Sequence, residues 1–64
     1  MSKTRVREKP ATDDLVGSFR RFGSYGVVYE VLRIEDDQNA IIRVVESGEE
    51  ASYPIRQILA DPKA

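Results

Sequence analysis

Few residues of this chain are of the types that carry out enzymatic chemistry. Histidine and cysteine are both absent, which excludes histidine-based proton transfer, thiol nucleophiles and zinc sites built on these residues. The remaining candidates are three pairs of adjacent carboxylates: Asp13/Asp14, Asp36/Asp37 and Glu49/Glu50. All three pairs fall in predicted helix caps or turns, where water solvates them, and neighbouring strand residues point to opposite faces. We therefore predict that the chain is not an enzyme and has no catalytic residue, no metal and no cofactor.

Basic residues offer a different chemistry, the binding of phosphate. Residues 1–22 contain six bases and three acids, whereas residues 23–64 contain four bases and eight acids. Two arginines are flanked by Phe19 and Phe22, and phosphate contacts beside aromatic side chains are what single-stranded nucleic acids require. The candidate nucleic-acid contacts are Arg5, Arg7, Arg20 and Arg21. Against this interpretation, the rest of the chain is acidic, and nucleic-acid-binding domains are usually strongly basic.

The elements that would position these groups are mainly β-strands. Residues 25–35 and 40–46 are rich in β-branched and aromatic side chains, which predicts two strands. The polar segment 36–39 between them predicts a turn. Residues 47–48, Ser-Gly, predict a second and tighter turn, followed by a short third strand over 49–53.

A short helix is predicted after these strands. Pro54 stops the third strand and is favourable at the start of a helix. Ile55, Ile58 and Leu59 recur at the spacing of one helix face, and Asp61-Pro62 ends the helix. The predicted fold is therefore mostly β or α+β: a three- or four-stranded antiparallel meander, with a small SH3-like barrel as one form of it, and a short C-terminal helix.

Residues 12–23 allow two structures. A helix beginning near Thr12 would place Leu15 and Phe19 at helical spacing, but Gly17 in its interior would cost about 1 kcal/mol. A strand would instead pair with residues 25–35 and add the fourth strand of an SH3-like barrel. Both alternatives remain open from the sequence.

The predicted pairing separates the strand side chains into two faces. With Ser47 and Gly48 at the centre of the second turn, Val44 lies opposite Ala51. One face is then apolar and consists of Tyr29, Val31, Ile42, Val44, Ala51 and Tyr53. The other face combines charged residues with five aliphatic ones, Val28, Leu32, Ile34, Ile41 and Val45. Because a small sheet does not expose such a set without cost, either the chain itself or another chain must cover it.

Size and composition allow one small domain. The chain has 64 residues, and we predict a disordered basic tail over residues 1–11 and a single domain over residues 12–64. The N-terminus lacks the apolar run of a signal peptide, and the sequence lacks an apolar segment long enough for a membrane helix. Together with the absence of cysteine, this favours a cytoplasmic location.

Several blocks along the chain carry a resemblance to a known family. They are Arg20-Arg21-Phe22-Gly23, Gly26, Tyr29-Glu30-Val31, residues 42–50, Tyr53-Pro54 and Asp61-Pro62. In this order they resemble a small bacterial protein family of unknown function, over roughly residues 15–63. The resemblance implies a bacterial, cytoplasmic origin and implies no activity.

The sequence thus favours a non-catalytic binding or adaptor module that acts through protein–protein contacts. Its partner would be a second copy, forming a homodimer, or another protein, and the candidate residues are the five aliphatic ones on the mixed face. Nucleic-acid binding through the basic tail, Arg20 and Arg21 is the alternative function. No membrane partner is expected.

Overall fold

The computed structural model describes residues 15–64, which form one antiparallel sheet followed by a short helix. The strands are β1 (Phe19–Arg21), β2 (Val28–Ile34), β3 (Asn39–Val44) and β4 (Glu50–Pro54), and the helix is α1 (Ile55–Ala60). The four strands lie in chain order, each antiparallel to the next. The predicted meander with its C-terminal helix is therefore confirmed. The predicted disorder of residues 1–11 lies outside the described residues.

The described part of residues 12–23 follows the strand alternative. Leu15 is helical, but Gly17 has a φ of 90°, a conformation that glycine adopts without a steric penalty. The Gly17 N–H donates to the Val31 carbonyl oxygen at 2.7 Å, so the chain here already runs along β2. Phe19 then pairs with Glu30, and β1 forms the fourth strand.

The turn between β3 and β4 is longer than predicted. The Gly48 N–H donates to the Val44 carbonyl oxygen at 2.7 Å, and the Val44 N–H donates to the Glu49 carbonyl oxygen at 2.8 Å. Ala51 therefore pairs with Ile42, and the predicted pairing of Val44 with Ala51 is wrong. Because the register differs by two residues, every side chain of β4 keeps its predicted face.

A β-bulge in β2 changes the face that the end of this strand presents. The register with β3 shifts at Leu32, so that Leu32 and Arg33 together stand opposite Ile41. Ile34 then pairs with the buried Ala40. The prediction that Ile34 shares a face with Ile41 is therefore wrong, because one extra residue reverses the alternation beyond it.

The sheet is open rather than closed into a barrel. Within residues 15–64, β1 and β4 are the first and last strands of the sheet and do not pair with each other. The other edge of β1 is covered by the residues that follow α1. The Arg21 N–H donates to the Pro62 carbonyl oxygen, and the Ala64 N–H donates to the Phe19 carbonyl oxygen, both at 3.0 Å. The helix thus returns the chain to the first strand.

The hydrophobic core lies between α1 and the side of the sheet that we call the inner face. Its buried members are Leu15, Tyr29, Val31, Ala40, Ile42, Ile55 and Ile58. Full burial of each larger aliphatic side chain stabilises the fold by about 1.5–3 kcal/mol. Leu59, predicted to share the buried helix face, is instead 51% exposed, because a helix of six residues turns only one narrow stripe toward the sheet.

Candidate functional site

Arg20, a candidate nucleic-acid contact, lies inside the protein. Its side chain projects from β1 on the inner face, and only 8% of the residue is exposed. The Nη1 atom donates to the carbonyl oxygens of Ile58 at 3.0 Å and Asp61 at 3.2 Å. These carbonyls belong to the C-terminal end of α1, where backbone acceptors lack helical partners and a cation is favourable. Arg20 therefore fixes the end of the helix to the first strand.

Asp61 completes this buried polar group from the other side. Its Oδ2 atom accepts hydrogen bonds from the hydroxyls of Tyr29 at 2.7 Å and Tyr53 at 3.2 Å. Its Oδ1 atom accepts weaker ones from the Gly23 N–H at 3.4 Å and from Gln57 at 3.5 Å. The carboxylate thereby joins the turn before β2, strands β2 and β4, and the helix. We call Arg20, Tyr29, Tyr53 and Asp61 the inner polar cluster.

The cluster shifts the proton affinities of its members in opposite directions. Burial alone would raise the pKa of Asp61, but the hydrogen bonds from Tyr29, Tyr53, Gln57 and Gly23 outweigh burial and lower it. Burial raises the pKa of Tyr29, and its hydrogen bond to the Asp61 carboxylate raises that pKa further. At neutral pH the cluster therefore holds a carboxylate between two neutral phenols, which is the arrangement of a structural network.

The other candidate nucleic-acid contacts are not brought together by the described residues. Arg21 is exposed and projects on the opposite side of β1 from Arg20. Arg5 and Arg7 lie outside the described residues. Phe22, one of the two flanking aromatics, packs against the inner polar cluster, with its ring centroid 4.4 Å from that of Tyr29 and 5.3 Å from that of Tyr53. Within residues 19–22, only Phe19 and Arg21 therefore remain accessible to solvent.

The side of the sheet opposite the helix, which we call the outer face, carries three rows of side chains. Paired residues in an antiparallel sheet share a face, so the rows follow from the strand register. The first row is Arg21, Val28 and Val45; the second is Phe19, Glu30, Arg43 and Glu50; the third is Leu32 with Arg33, then Ile41 and Ser52. Two partly apolar rows therefore enclose one charged row.

Apolar side chains on the outer face remain accessible to solvent. Phe19 is 44% exposed and Val45 is 52% exposed, and Val28, Leu32 and Ile41 are partly buried by their neighbours. Four of the five aliphatic residues predicted to form a contact surface thus lie on this face. Ile34 does not, for the reason given above. Phe19 was missed because the sequence left residues 12–23 undecided between helix and strand.

The charged row of the outer face contains a close ion pair. Arg43 Nη2 lies 3.0 Å from Glu30 Oε1, while Arg33 Nη2 lies 4.0 Å from Glu50 Oε1. Glu35 accepts a hydrogen bond from the Ser52 hydroxyl at the rim. Exposed ion pairs of this kind add only about 0–1 kcal/mol to stability. Their effect is instead to fix the pattern of charge on this face.

A tight turn between β1 and β2 displays a fully exposed tyrosine. Tyr25 is 102% exposed, so its ring contacts no other part of the described chain. Gly23 has a φ of 74°, and a Cβ on Gly26 would collide with the backbone of Phe22. Both glycines are therefore required for the turn. The sequence analysis placed Tyr25 at the start of a strand over residues 25–35, but β2 begins only at Val28.

The acidic pair Asp36/Asp37 lies in the loop between β2 and β3, where Asp36 stabilises the turn. The Asp36 carboxylate accepts hydrogen bonds from the backbone N–H groups of Gln38 and Asn39, both at 2.9 Å, and the bond from Gln38 is the main cause of its lowered pKa. A shallow cleft of about 570 Å³ lies between this loop and α1 and includes Asp37 and Arg56 in its lining. Within residues 15–64, no three acidic side chains converge as metal ligands would.

Comparison with known families places the chain in one of them. The model of DUF5397, a family of unknown function, matches residues 6–64. The chain belongs to DUF5397. This confirms the resemblance to a small family of unknown function that the sequence blocks carried. No curated protein matches the chain significantly, and no helix within residues 15–64 has the length and apolar character needed to cross a membrane.

Proposed function

We propose that this DUF5397 chain is a non-catalytic protein-interaction module that contacts a protein partner through the outer face of its sheet. The observation that carries the proposal is the contrast in coverage. The inner face is packed by α1 and Leu15, whereas no element of residues 15–64 packs on the outer face, where Phe19 and Val45 stay about half exposed.

The composition of the outer face supports a protein as its partner. Contact surfaces between proteins combine an apolar centre with a polar rim, and they are enriched in aromatic residues and arginine. Here Val28 and Val45 lie side by side with Arg21 in the first row, and Phe19 and Arg43 lie in the next row. Because the charged residues are largely paired with one another, a partner would meet a nearly neutral surface.

Nucleic-acid binding is the weaker alternative. Burial removes Arg20 from its proposed contacts, and Arg21 lies in the row next to the charged row, diagonal to Glu30. A single accessible arginine beside one aromatic ring supplies little of the phosphate neutralisation that such binding needs. We further propose that the protein is located in the bacterial cytoplasm, because its sequence contains no cysteine.

A photo-crosslinking experiment tests the proposal. The photoreactive residue benzoylphenylalanine replaces Val45 on the outer face or, as the matched control, Arg56, an exposed residue of α1. Both variants are irradiated in cells that express the chain, and the products are mapped by mass spectrometry. We expect protein adducts, to a second copy or to another protein, from position 45 and far fewer from position 56.

Two results would overturn the proposal. One is the absence of protein adducts from position 45 under conditions where the photoreactive group is shown to be active. The other is a set of adducts from position 45 that nuclease treatment removes, which would favour the nucleic-acid alternative.

A further inference from the structure

The residues of the outer face form a pattern that relates β2 to β3. In its first row Val28 lies beside Val45, the residue directly after β3, and in its second Glu30 lies beside Arg43. In its third row, at the bulge, Leu32 and Arg33 together lie beside Ile41. Across β2 and β3, the first row therefore joins two apolar residues and the second joins two opposite charges, while the third joins Ile41 to one apolar and one basic residue. The first two rows are self-complementary when the two strands are exchanged.

A two-fold axis that runs along the strands, between β2 and β3, performs this exchange. If two sheets stack with their outer faces together about this axis, each β2 residue faces the β3 residue of its own row in the second copy. Val28 then faces Val45 of the second copy, and Glu30 faces Arg43 of the second copy. Sheets that pack face to face lie about 10 Å apart with nearly aligned strands, which this arrangement satisfies.

The other in-plane two-fold axis does not fit. An axis across the strands, along the charged row, would reverse the strand direction and leave each residue of that row facing itself. Glu30 would face Glu30 of the second copy, and Arg43 would face Arg43. Juxtaposed like charges in an interface cost several kcal/mol, so the charge pattern selects the axis along the strands.

We propose that the partner of the outer face is a second copy of this chain, stacked about a two-fold axis along β2 and β3. This proposal rests on the proposed function and specifies its partner. Two-fold interfaces are the commonest in homo-oligomers, and a chain of this size draws only about 3–5 kcal/mol of net stability from its own core. The Glu30–Arg43 ion pair then becomes a four-charge network at the centre of the interface.

Reversing single charges tests this register directly. Glu30→Arg gives a copy with two bases at the centre of the charged row, and Arg43→Glu gives a copy with two acids. Each variant alone should lose self-association, because like charges would face each other. A mixture of the two should form a heterodimer, since every base then faces an acid, with affinity more than about tenfold above that of either variant alone. Asp37→Arg, in the exposed 36–39 loop, is the matched control and should self-associate like the unmodified chain.

Analytical ultracentrifugation of each protein and of the mixture supplies the readout, and circular dichroism verifies that each variant is folded. A heterodimer in the mixture supports the register when both variants are monomeric alone and the unmodified chain self-associates, because the axis across the strands would leave the unmodified chain with like charges facing each other. A mixture that stays monomeric, or variants that self-associate as strongly as the unmodified chain, overturns it. If the unmodified chain is monomeric while photo-crosslinking from position 45 still yields adducts to another protein, the second-copy partner is wrong and the proposed function stands.

Discussion

The two faces of the sheet carry similar kinds of residue in different environments. The inner face contains an arginine, an acid and two tyrosines, and all four are engaged with one another or with the end of α1. The outer face also contains arginines, acids and an aromatic ring, but these lie at the surface. The same residue types therefore stabilise the fold on one side and are available for contact on the other, and burial distinguishes the two roles.

Of the substitutions on the two faces, we expect the loss of the Asp61 carboxylate to destabilise the protein most. Asp61→Ala leaves the buried hydroxyl of Tyr29 and the partly buried hydroxyl of Tyr53 without their acceptor. We expect it to lower the free energy of unfolding by about 3 kcal/mol, most of the net stability of such a small domain. Urea denaturation followed by circular dichroism measures the change. An unaltered denaturation midpoint would show that the cluster does not hold the elements together.

Arg20 and Arg21 are neighbours in the chain but lie on opposite faces of the sheet, so their substitutions can be compared directly. Arg20→Met removes the donors to the carbonyls of Ile58 and Asp61 and should cost about 2 kcal/mol of unfolding free energy. Arg21→Met, one residue further along on the outer face, should change that free energy by less than about 0.5 kcal/mol. The same denaturation assay compares them, and equal effects would contradict the assignment of Arg20 to the interior.

The pH dependence of stability should also report on the inner face. Because the pKa of Asp61 is lowered on folding, its contribution is present above the ordinary carboxyl pKa of about 4 and is lost as the pH falls through the lower folded-state value. Because the pKa of Tyr29 is raised, its contribution is present below about pH 10 and is lost as the pH rises above that value.

Thermal unfolding between acidic and alkaline pH checks both directions. Asp61→Asn should reduce the loss of stability in acid, whereas Asp37→Asn, at an exposed position, should leave the acid profile unchanged. Tyr29→Phe should reduce the loss at alkaline pH, where Tyr53, whose pKa is also raised, continues to contribute. If Asp61→Asn does not alter the loss of stability in acid, hydrogen bonds to Asp61 are not the cause of that loss.

Substitutions of exposed residues should change stability least. Tyr25→Ala removes a ring that contacts nothing in the described chain, and Val45→Asp alters a half-exposed position of the outer face. Each should change the unfolding free energy of the monomer by less than about 0.5 kcal/mol, measured at protein concentrations too low for association. A large loss from Val45→Asp would mean that the outer face contributes to folding itself.

The sequence predicted the elements better than the contacts between them. The β-branched runs and the periodicity after Pro54 predicted three strands and the helix, because these signals are local. The location of Arg20 could not be predicted in this way, since its acceptors lie 38 and 41 residues away. The bulge at Leu32 likewise follows from tertiary fit rather than from alternation, and it moved Ile34 away from the predicted surface.

We propose that this chain contacts another chain through its outer face, while the inner polar cluster stabilises the fold. Amide chemical shifts recorded from micromolar to millimolar protein concentration test this proposal. We predict concentration-dependent shifts at Val28, Glu30, Ile41, Arg43 and Val45, with none at Ile58 or Asp61. Shifts confined to α1 and the C-terminal residues would contradict the proposal, and so would amide shifts that stay unchanged both with rising protein concentration and on addition of a protein that crosslinks at position 45.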